Sequence, residues 1–574
     1  MITNYNYRPI SLLPICGKIF EKVIFDNLHS YIFSNNLLSD KQSGYRKGDS
    51  TVKQLLSIIH EIHSAFDTSH EVRAVFLDIS RAFDRVWHDG LIFKLKKLGV
   101  EGEVINIISS FLSQRQQRVT LNGKNSNWAK IEAGVPQGSI LGPILFLLYI
   151  DDLISVVDSD IRIFADDTFI FRILDTNSSR DLNKDLEKIT NWAFMWKMLF
   201  NPDISKQAVE VIFSNKKVPS SPTPLTFNRI PVKRVSQTKH LGMILDSKLS
   251  FENHVNAKIA IANKGLGVMK QLRKWVPSKT LQDLYKLYVR PHLDYGDILY
   301  DIPESQKQSI FSNNLTNNLM AKIESIQYEA AKIVTGAWHG TSRDKLYSDL
   351  GWEPLHQRRT FRKLLLLFEV LKNSSPNYLS ETVALYNYNR DSRLYNKGFL
   401  RPVFCQSKRY KLSFFPSTIS DWNLLDNNTQ KSPTTSIFKN KILNKIRPKK
   451  RSYFGLSDNN VTRCLSLLRF NLSPLRAHKF DKKFRDTTDP FCLVCGCVEN
   501  TEHFLLRCNA FTDLRTTLIQ KVSHFLQHNF LDLPNKTKIN ILLYGEKSAK
   551  DEINKAVLAE VGFFILKTKR FNKD

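Results

Sequence analysis

Two rhythms of apolar and polar positions run along this chain. At 72–78 it reads Val-Arg-Ala-Val-Phe-Leu-Asp, a β-rich run that closes on an acid. At 162–171, Arg-Ile-Phe-Ala-Asp-Asp-Thr-Phe-Ile-Phe sets Asp166 and Asp167 between two β-branched and aromatic stretches. That pattern predicts strand, tight turn, strand, because Asp tolerates turn dihedrals and the flanks suit a sheet. The apolar run 144–150 predicts a buried helix. Farther on the period changes: Val255, Ile259, Ala262, Leu266, Met269 and Leu272 recur at three and four, one helical stripe. A second helix is expected over 281–288, stopping before Pro291. A third, over 358–372, has Phe361, Leu364, Leu365, Phe368 and Leu371 on its apolar side. The stretch 373–450 reads as basic and loop-rich, and its aromatics Tyr410, Phe414 and Phe415 suit single-stranded nucleic acid or ordinary packing. A Pro/Ser-rich loop at 216–224 is expected to lie outside the sheet.

The paired acids carry the first chemistry. Two carboxylates about 4 Å apart repel by roughly 4 kcal/mol at an effective dielectric near 20. A divalent cation removes that repulsion, and oxygen-only ligands suit Mg²⁺. Asp78, at the end of a buried strand beside the Asp166-Asp167 hairpin, would complete a three-carboxylate nest. Such a nest binds two metal ions for in-line phosphoryl transfer. Between these acids, Ala133-Gly134-Val135-Pro136-Gln137-Gly138-Ser139 is no ordinary helix start, and its glycines suggest backbone brought close to a ligand.

In this order, Phe76-Leu77-Asp78-Ile79-Ser80-Arg81-Ala82-Phe83-Asp84, then Gly134-Val135-Pro136-Gln137-Gly138-Ser139, then Phe164-Ala165-Asp166-Asp167 resemble the palm of a reverse transcriptase. Further blocks narrow the resemblance to the jockey-like non-LTR retrotransposon enzymes. They are Tyr7-Arg8-Pro9-Ile10-Ser11 with Lys18 and Glu21, Gln42-Ser43-Gly44-Tyr45-Arg46, Asn201-Pro202 with Lys206, and Lys239-His240-Leu241-Gly242. The likeness is dense over about 5–300. It implies an α/β (α+β) fingers–palm–thumb right hand, followed by a mostly helical basic region and a small zinc knuckle. It also implies that Asp78, Asp166 and Asp167 hold two catalytic Mg²⁺ ions. Phe83 would be the bulky gate under the incoming sugar, and Gln137 and Gly138 would lie over the new base pair. Arg46, Lys18 and Arg8 would meet the triphosphate, where a guanidinium fork suits phosphate oxygens. Lys206 would protonate the departing pyrophosphate. Asp84, next to the gate, reads as structural.

The chain carries 83 Lys and Arg against 55 Asp and Glu, a net charge of +28 over 574 residues. That excess points to a polyanionic partner, and nucleic acid is the natural one. A membrane is disfavoured, because the longest apolar stretch, 140–150, contains Gly142 and Pro143 and is too short to span. Seven cysteines, an odd number, argue for a reducing compartment. Four of the last cluster with a histidine as Cys492-x₂-Cys495, Cys497, His503-x₄-Cys508. Cys492, Cys495, His503 and Cys508 suit closed tetrahedral Zn²⁺, with Cys497 a competing ligand. By resemblance the region is a zinc knuckle for template RNA or target DNA. Arg447-Pro448-Lys449-Lys450-Arg451 reads as a nuclear import signal or a phosphate patch, and a nuclear location with a cytoplasmic ribonucleoprotein phase is expected.

Five segments are expected: fingers and palm at 1–236, a helical thumb at 237–345, a basic connector at 346–455, the knuckle region at 456–515 and a helical tail at 516–574. The first fingers block begins almost at Met1, and only 66 residues follow Cys508, so no endonuclease is expected. The leading expectation is an RNA-directed DNA polymerase using RNA template, DNA primer or target, and deoxynucleoside triphosphates. The alternative is a truncated, non-catalytic nucleic-acid-binding remnant. An RNA-directed RNA polymerase is disfavoured by the bulk of Phe83.

Overall fold

The computed structural model describes residues 10–174, 181–201, 207–220, 222–300, 315–337, 340–372, 374–384, 398–446, 456, 459–546 and 548–571. Its contacts divide the chain into two units. The first takes Met1–His254, Ile298–Ile302 and Lys363–Lys431; the second takes Val255–Asp297, Pro303–Arg362 and Ser432–Asp574.

The first unit is built on a five-stranded sheet. In spatial order its strands are Lys233–Arg234, Ala208–Phe213, Glu71–Asp78, Asp167–Leu174 and Asp160–Phe164. Every neighbouring pair is antiparallel except the short edge strand Lys233–Arg234. Glu71–Asp78 is central, and every residue before Asp78 is buried. A strand covered on both faces reads as a near-continuous apolar run rather than an alternation, as 72–77 does. The helix Thr51–Asp67 packs on this sheet. The helix Leu141–Ile150 is buried along almost its whole length, as its unbroken apolar run predicts. Its first backbone N–H groups need an acceptor where water cannot reach. Glu21 supplies one from the helix Ile15–Ser34: its carboxylate accepts from Ile140 at 2.7 Å and Leu141 at 3.2 Å. A carboxylate at a helix amino end gains up to about 2 kcal/mol when partly buried.

One expectation needs correction. The segment 373–450 is not loop-rich where described: it holds the helices Asn377–Ala384, Lys408–Leu412, Phe414–Asn423, Asn427–Gln430 and Thr435–Ile446. Tyr410, Phe414 and Phe415 are buried there, which agrees with the ordinary packing expected of them rather than with nucleic-acid binding. Tyr410 and Phe415 pack on His60, while Asp67 accepts the N–H groups of Gln406 at 3.0 Å and Ser407 at 2.6 Å. The loop after 213 lies outside the strands where described, as expected, and is tied to the sheet by Lys216, which pairs with Glu71 at 3.0 Å, and by Arg73, which donates to the Thr223 carbonyl at 2.6 Å.

The segment boundaries differ as well. Gln237–His240 and Met243–Asp246 form a hairpin that belongs to the first unit, so the helical part starts only at Glu252. The connector is split between the units at Lys363 and Ser432. In the second unit, the helix from Ser278 does not stop before Pro291. A π-helical turn, Tyr285–Val289, leads into Arg290–Asp294, and Pro291 sits in the first turn, where its missing N–H costs nothing. The expected tail is not separate either. Asp551–Lys567 packs against Thr512–Leu526 and Asn459–Arg469, and Arg570 pairs with Glu499 at 2.7 Å. Among the described residues no helix is long and apolar enough to cross a membrane.

Candidate functional site

The acids meet at one end of the sheet. Asp78, the last residue of the central strand, lies directly opposite Asp167, the first residue of its neighbour. Opposed residues of an antiparallel pair stand with Cβ atoms about 4.5–5.5 Å apart, and like charges there destabilise the sheet. Asp166 precedes Asp167 in the two-residue turn after Asp160–Phe164. All three are half-buried. The Asn201 amide donates to Asp78 Oδ2 at 2.7 Å, and its backbone N–H donates to the Asp78 carbonyl at 2.9 Å. The three acids thus share this end of the sheet.

The turn is held from below by the Gln42 loop. Ala165 has φ +55°, a strained conformation for a residue with a Cβ. Gln42, fully buried, accepts the Ala165 N–H at 3.1 Å and the Gly44 N–H at 3.0 Å. Ser43 N–H and the Gln54 amide both donate to the Ile163 carbonyl, each at 2.9 Å. A Cβ on Gly44 would stand 2.4 Å from the Ala165 nitrogen, so only glycine allows this approach. Sequence reasoning placed Gln42 and Asn201 in motif blocks without giving either a role. The available signal was an amide beside a glycine or a proline, flanking the acid motifs.

Phe83 stacks on Phe146 with ring centroids 4.7 Å apart and meets the edge of Tyr45 at 6.0 Å. The Gly134–Gly138 loop is laced to it, since the Phe83 carbonyl accepts Val135 N–H at 2.8 Å. Gln137 donates to Asp84 Oδ1 at 3.2 Å. The glycines of this loop each make room for neighbouring backbone. A Cβ on Gly134, at φ +94°, would stand 2.8 Å from the Asp84 backbone. One on Gly138, at φ +108°, would stand 2.9 Å from the Ser11 carbonyl. Beside Gln137 opens a cleft of about 300 Å³, walled by Ser11, Arg81, Asp84, Arg115 and Gln117.

The basic candidates fare differently. Arg46 is engaged by its own loop: its guanidinium donates to the carbonyls of Ser39 at 2.6 Å and Gln42 at 3.1 Å and pairs with Asp40 at 3.2 Å. Lys18 sits half-buried in the first turn of Ile15–Ser34. Arg8, Lys206 and the basic run 447–451 lie outside the described residues.

In the second unit, Cys492, Cys495, His503 and Cys508 bring their ligand atoms within 4.8 Å of one another. Among the described residues this is the one such metal-competent grouping. Cys492 N–H donates to the Cys497 carbonyl at 2.8 Å and Gly496 N–H to the Cys492 carbonyl at 2.9 Å, which turns the first two thiols to one side. His503–Arg507 is a π-helical turn, and Cys508 follows it directly. His503 Nε2 is buried with no hydrogen-bond partner, which leaves it available as a ligand beside the three thiols. Cys497 instead lies 3.1 Å from His503 Nδ1. The Asn509 N–H, 3.3 Å from the Cys495 sulfur, lowers that thiol's pKa, while burial pushes Cys508 up to about 12.

Residues 3–245 match the family described as "Reverse transcriptase (RNA-dependent DNA polymerase)". The chain is 30% identical over 387 residues to the probable RNA-directed DNA polymerase from transposon X-element of Drosophila melanogaster, covering 65% of this chain and 39% of that one. It is 30% identical over 358 residues to the RNA-directed DNA polymerase from mobile element jockey of the same fly, 59% of this chain and 37% of that one. The matched part thus spans well under half the length of these relatives. A telomerase structure from Candida tropicalis aligns over 75% of this chain and 56% of that one, at 10% identity and a TM-score of 0.34, too slight a likeness to argue from.

Proposed function

We propose that this chain, whose residues 3–245 match the reverse transcriptase family and which is 30% identical to the jockey and X-element polymerases over the matched part, is an RNA-directed DNA polymerase. It extends a DNA 3′-hydroxyl on an RNA template with deoxynucleoside triphosphates. The observation that carries this reading is the register that sets Asp78 opposite Asp167, beside Asp166 in the turn.

Opposed carboxylates at a sheet end fit a hard, oxygen-seeking cation, and Asp78, Asp166 and Asp167 would hold Mg²⁺. Two such ions supply activation of the attacking oxygen and neutralisation of the leaving pyrophosphate. The remaining work belongs to side chains. Asn201 orients the Asp78 carboxylate. Phe83, braced by Phe146, gives the sugar a flat floor with no room for a 2′-hydroxyl. Gln137, steadied by Asp84, lies over the new pair, with Gly138 letting its loop close on Ser11. Lys206, Lys18 and Arg8 are assigned to the phosphates. Arg46, anchored in the Gln42 loop, is assigned to the triphosphate with them.

The Cys492, Cys495, His503 and Cys508 set suits Zn²⁺, bound tetrahedrally and with no open position, hence structural. That knuckle and the net charge of +28 support RNA template and target DNA as partners. The basic run 447–451 supports a nuclear location after a cytoplasmic ribonucleoprotein phase.

The test is incorporation of thymidine from dTTP by the purified chain on poly(rA) primed with oligo(dT), in Mg²⁺. Template-dependent extension is expected. RNA binding without any extension would support the remnant reading instead.

A further inference from the structure

Between the helix Glu103–Leu112 and the Gly134–Gly138 loop, the chain of the first unit runs out as a two-stranded ribbon. Gln116–Gln117 pairs with Ala129–Lys130, and Thr120–Leu121 with Lys124–Asn125, all antiparallel. Asn122 and Gly123, both at positive φ, close its tip. Midway, Ser126 and Val119 exchange two hydrogen bonds at 2.9 Å. Every residue from 116 to 130 is exposed.

A bare two-stranded ribbon is marginal in water, and apolar side chains on its surface add nothing to its stability. Yet Val119, Leu121 and Trp128 are 65%, 69% and 60% exposed. The stretch 104–131 holds four cations, Arg115, Arg118, Lys124 and Lys130, and no acid. The Arg118 guanidinium lies 4.8 Å from the Trp128 ring centroid. At the root, Arg115 and Gln117 form one wall of the cleft that Gln137 borders, so the ribbon is continuous with the candidate polymerase site.

An exposed indole beside exposed cations suits unpaired bases and their phosphates together. A duplex hides its base faces; a single strand offers them. We propose that the ribbon 115–130 is a binding arm for single-stranded RNA, namely the unpaired template that has yet to enter the site. The identity of that strand rests on the polymerase reading. Trp128 stacks a base, Arg118, Lys124 and Lys130 meet phosphates, and Arg115 leads the strand into the cleft beside Gln137.

The test is equilibrium binding of the full chain, without nucleotides, to primed RNA that is either blunt or carries a 5′ single-stranded RNA overhang. Duplex DNA serves as a third probe. Trp128→Ala is expected to weaken overhang binding about tenfold and leave blunt binding unchanged. Changing Arg118, Lys124 and Lys130 to Gln should take roughly 2 from the slope of log affinity against log salt on the overhang probe. Both variants touch only exposed side chains, so the fold survives them. Equal losses on blunt and overhang RNA, a loss confined to duplex DNA, or no loss at all would each overturn the proposal. Binding is read without catalysis, so an inactive polymerase site would leave this result standing.

Discussion

The buried side chain of Gln42 accepts the Ala165 backbone N–H at 3.1 Å, and this bond ties the loop ahead of Thr51–Asp67 to the turn that carries Asp166. The same oxygen accepts Gly44 N–H at 3.0 Å, so a single amide fixes two loops. Gln42→Ala would leave the Ala165 donor buried and unpaired, at a cost of about 1–3 kcal/mol. We expect a lower unfolding temperature and a lower kcat for primer extension, with the nucleotide KM little changed. Steady-state kinetics beside thermal unfolding checks this, and a raised KM at unchanged kcat would contradict it.

Phe83 is braced from below by Phe146, 4.7 Å away, so its ring cannot retreat from an incoming sugar. Phe83→Ala should raise ribonucleotide incorporation relative to deoxynucleotide by at least about tenfold, roughly 1.4 kcal/mol of discrimination. Competition between dTTP and UTP on one template measures it. An unaltered ratio removes the gate.

For the cysteine cluster, the expected metal content is one zinc per chain, read by elemental analysis. Chelation or Cys492→Ser should lower the unfolding midpoint of the second unit, because binding energy at a closed site is folding energy. The knuckle is locked to the carboxyl end through Glu499 and Arg570, so the loss should extend to the Asp551–Lys567 helix. Hydrogen exchange of that helix with and without metal reports it, and unchanged protection would count against a structural role.

Acid should weaken the first unit before its carboxylates titrate. Burial lowers His60 to about 4, and His63 and His240 to about 3. The unfolded chain takes up these protons near pH 6.5, so stability is full above that value and falls as pH drops toward 4. At pH 5.5 each such histidine costs about 1.4 kcal/mol. Asp151, pushed up to about 6 by burial, works in the opposite direction and returns a small part. We therefore expect a clearly lower unfolding temperature at pH 5.5 than at 7.5. Equal midpoints would mean these rings are solvated.

What the amino-acid pattern made legible follows from its locality. The Asp166-Asp167 hairpin was readable because two acids interrupt an apolar β run, and the Cys492–Cys508 set because all its ligands fall in one short stretch of chain. The buried helix Leu141–Ile150 stood out by its unbroken apolar run. Gln42 was not readable, since its partner lies 123 residues away. The glycines at 134 and 138 were legible as a loop, but the backbone each makes room for, at Asp84 and Ser11, lies too far along the chain to be read. The short helices around Tyr410 and Phe415 have too few turns to show a period, and only packing against His60 reveals them as core. Unit boundaries escaped for the same reason, because Lys363–Lys431 rejoins the first unit through contacts such as Asp67 with Ser407.

The most direct measurement compares the wild-type chain with Asp166→Asn in Mg²⁺-dependent primer extension on RNA, with RNA affinity measured alongside. Extension should vanish while affinity stays near wild type, because the amide keeps the shape of the turn and removes one metal-binding charge. Undiminished extension by Asp166→Asn would contradict a metal site built on Asp78, Asp166 and Asp167.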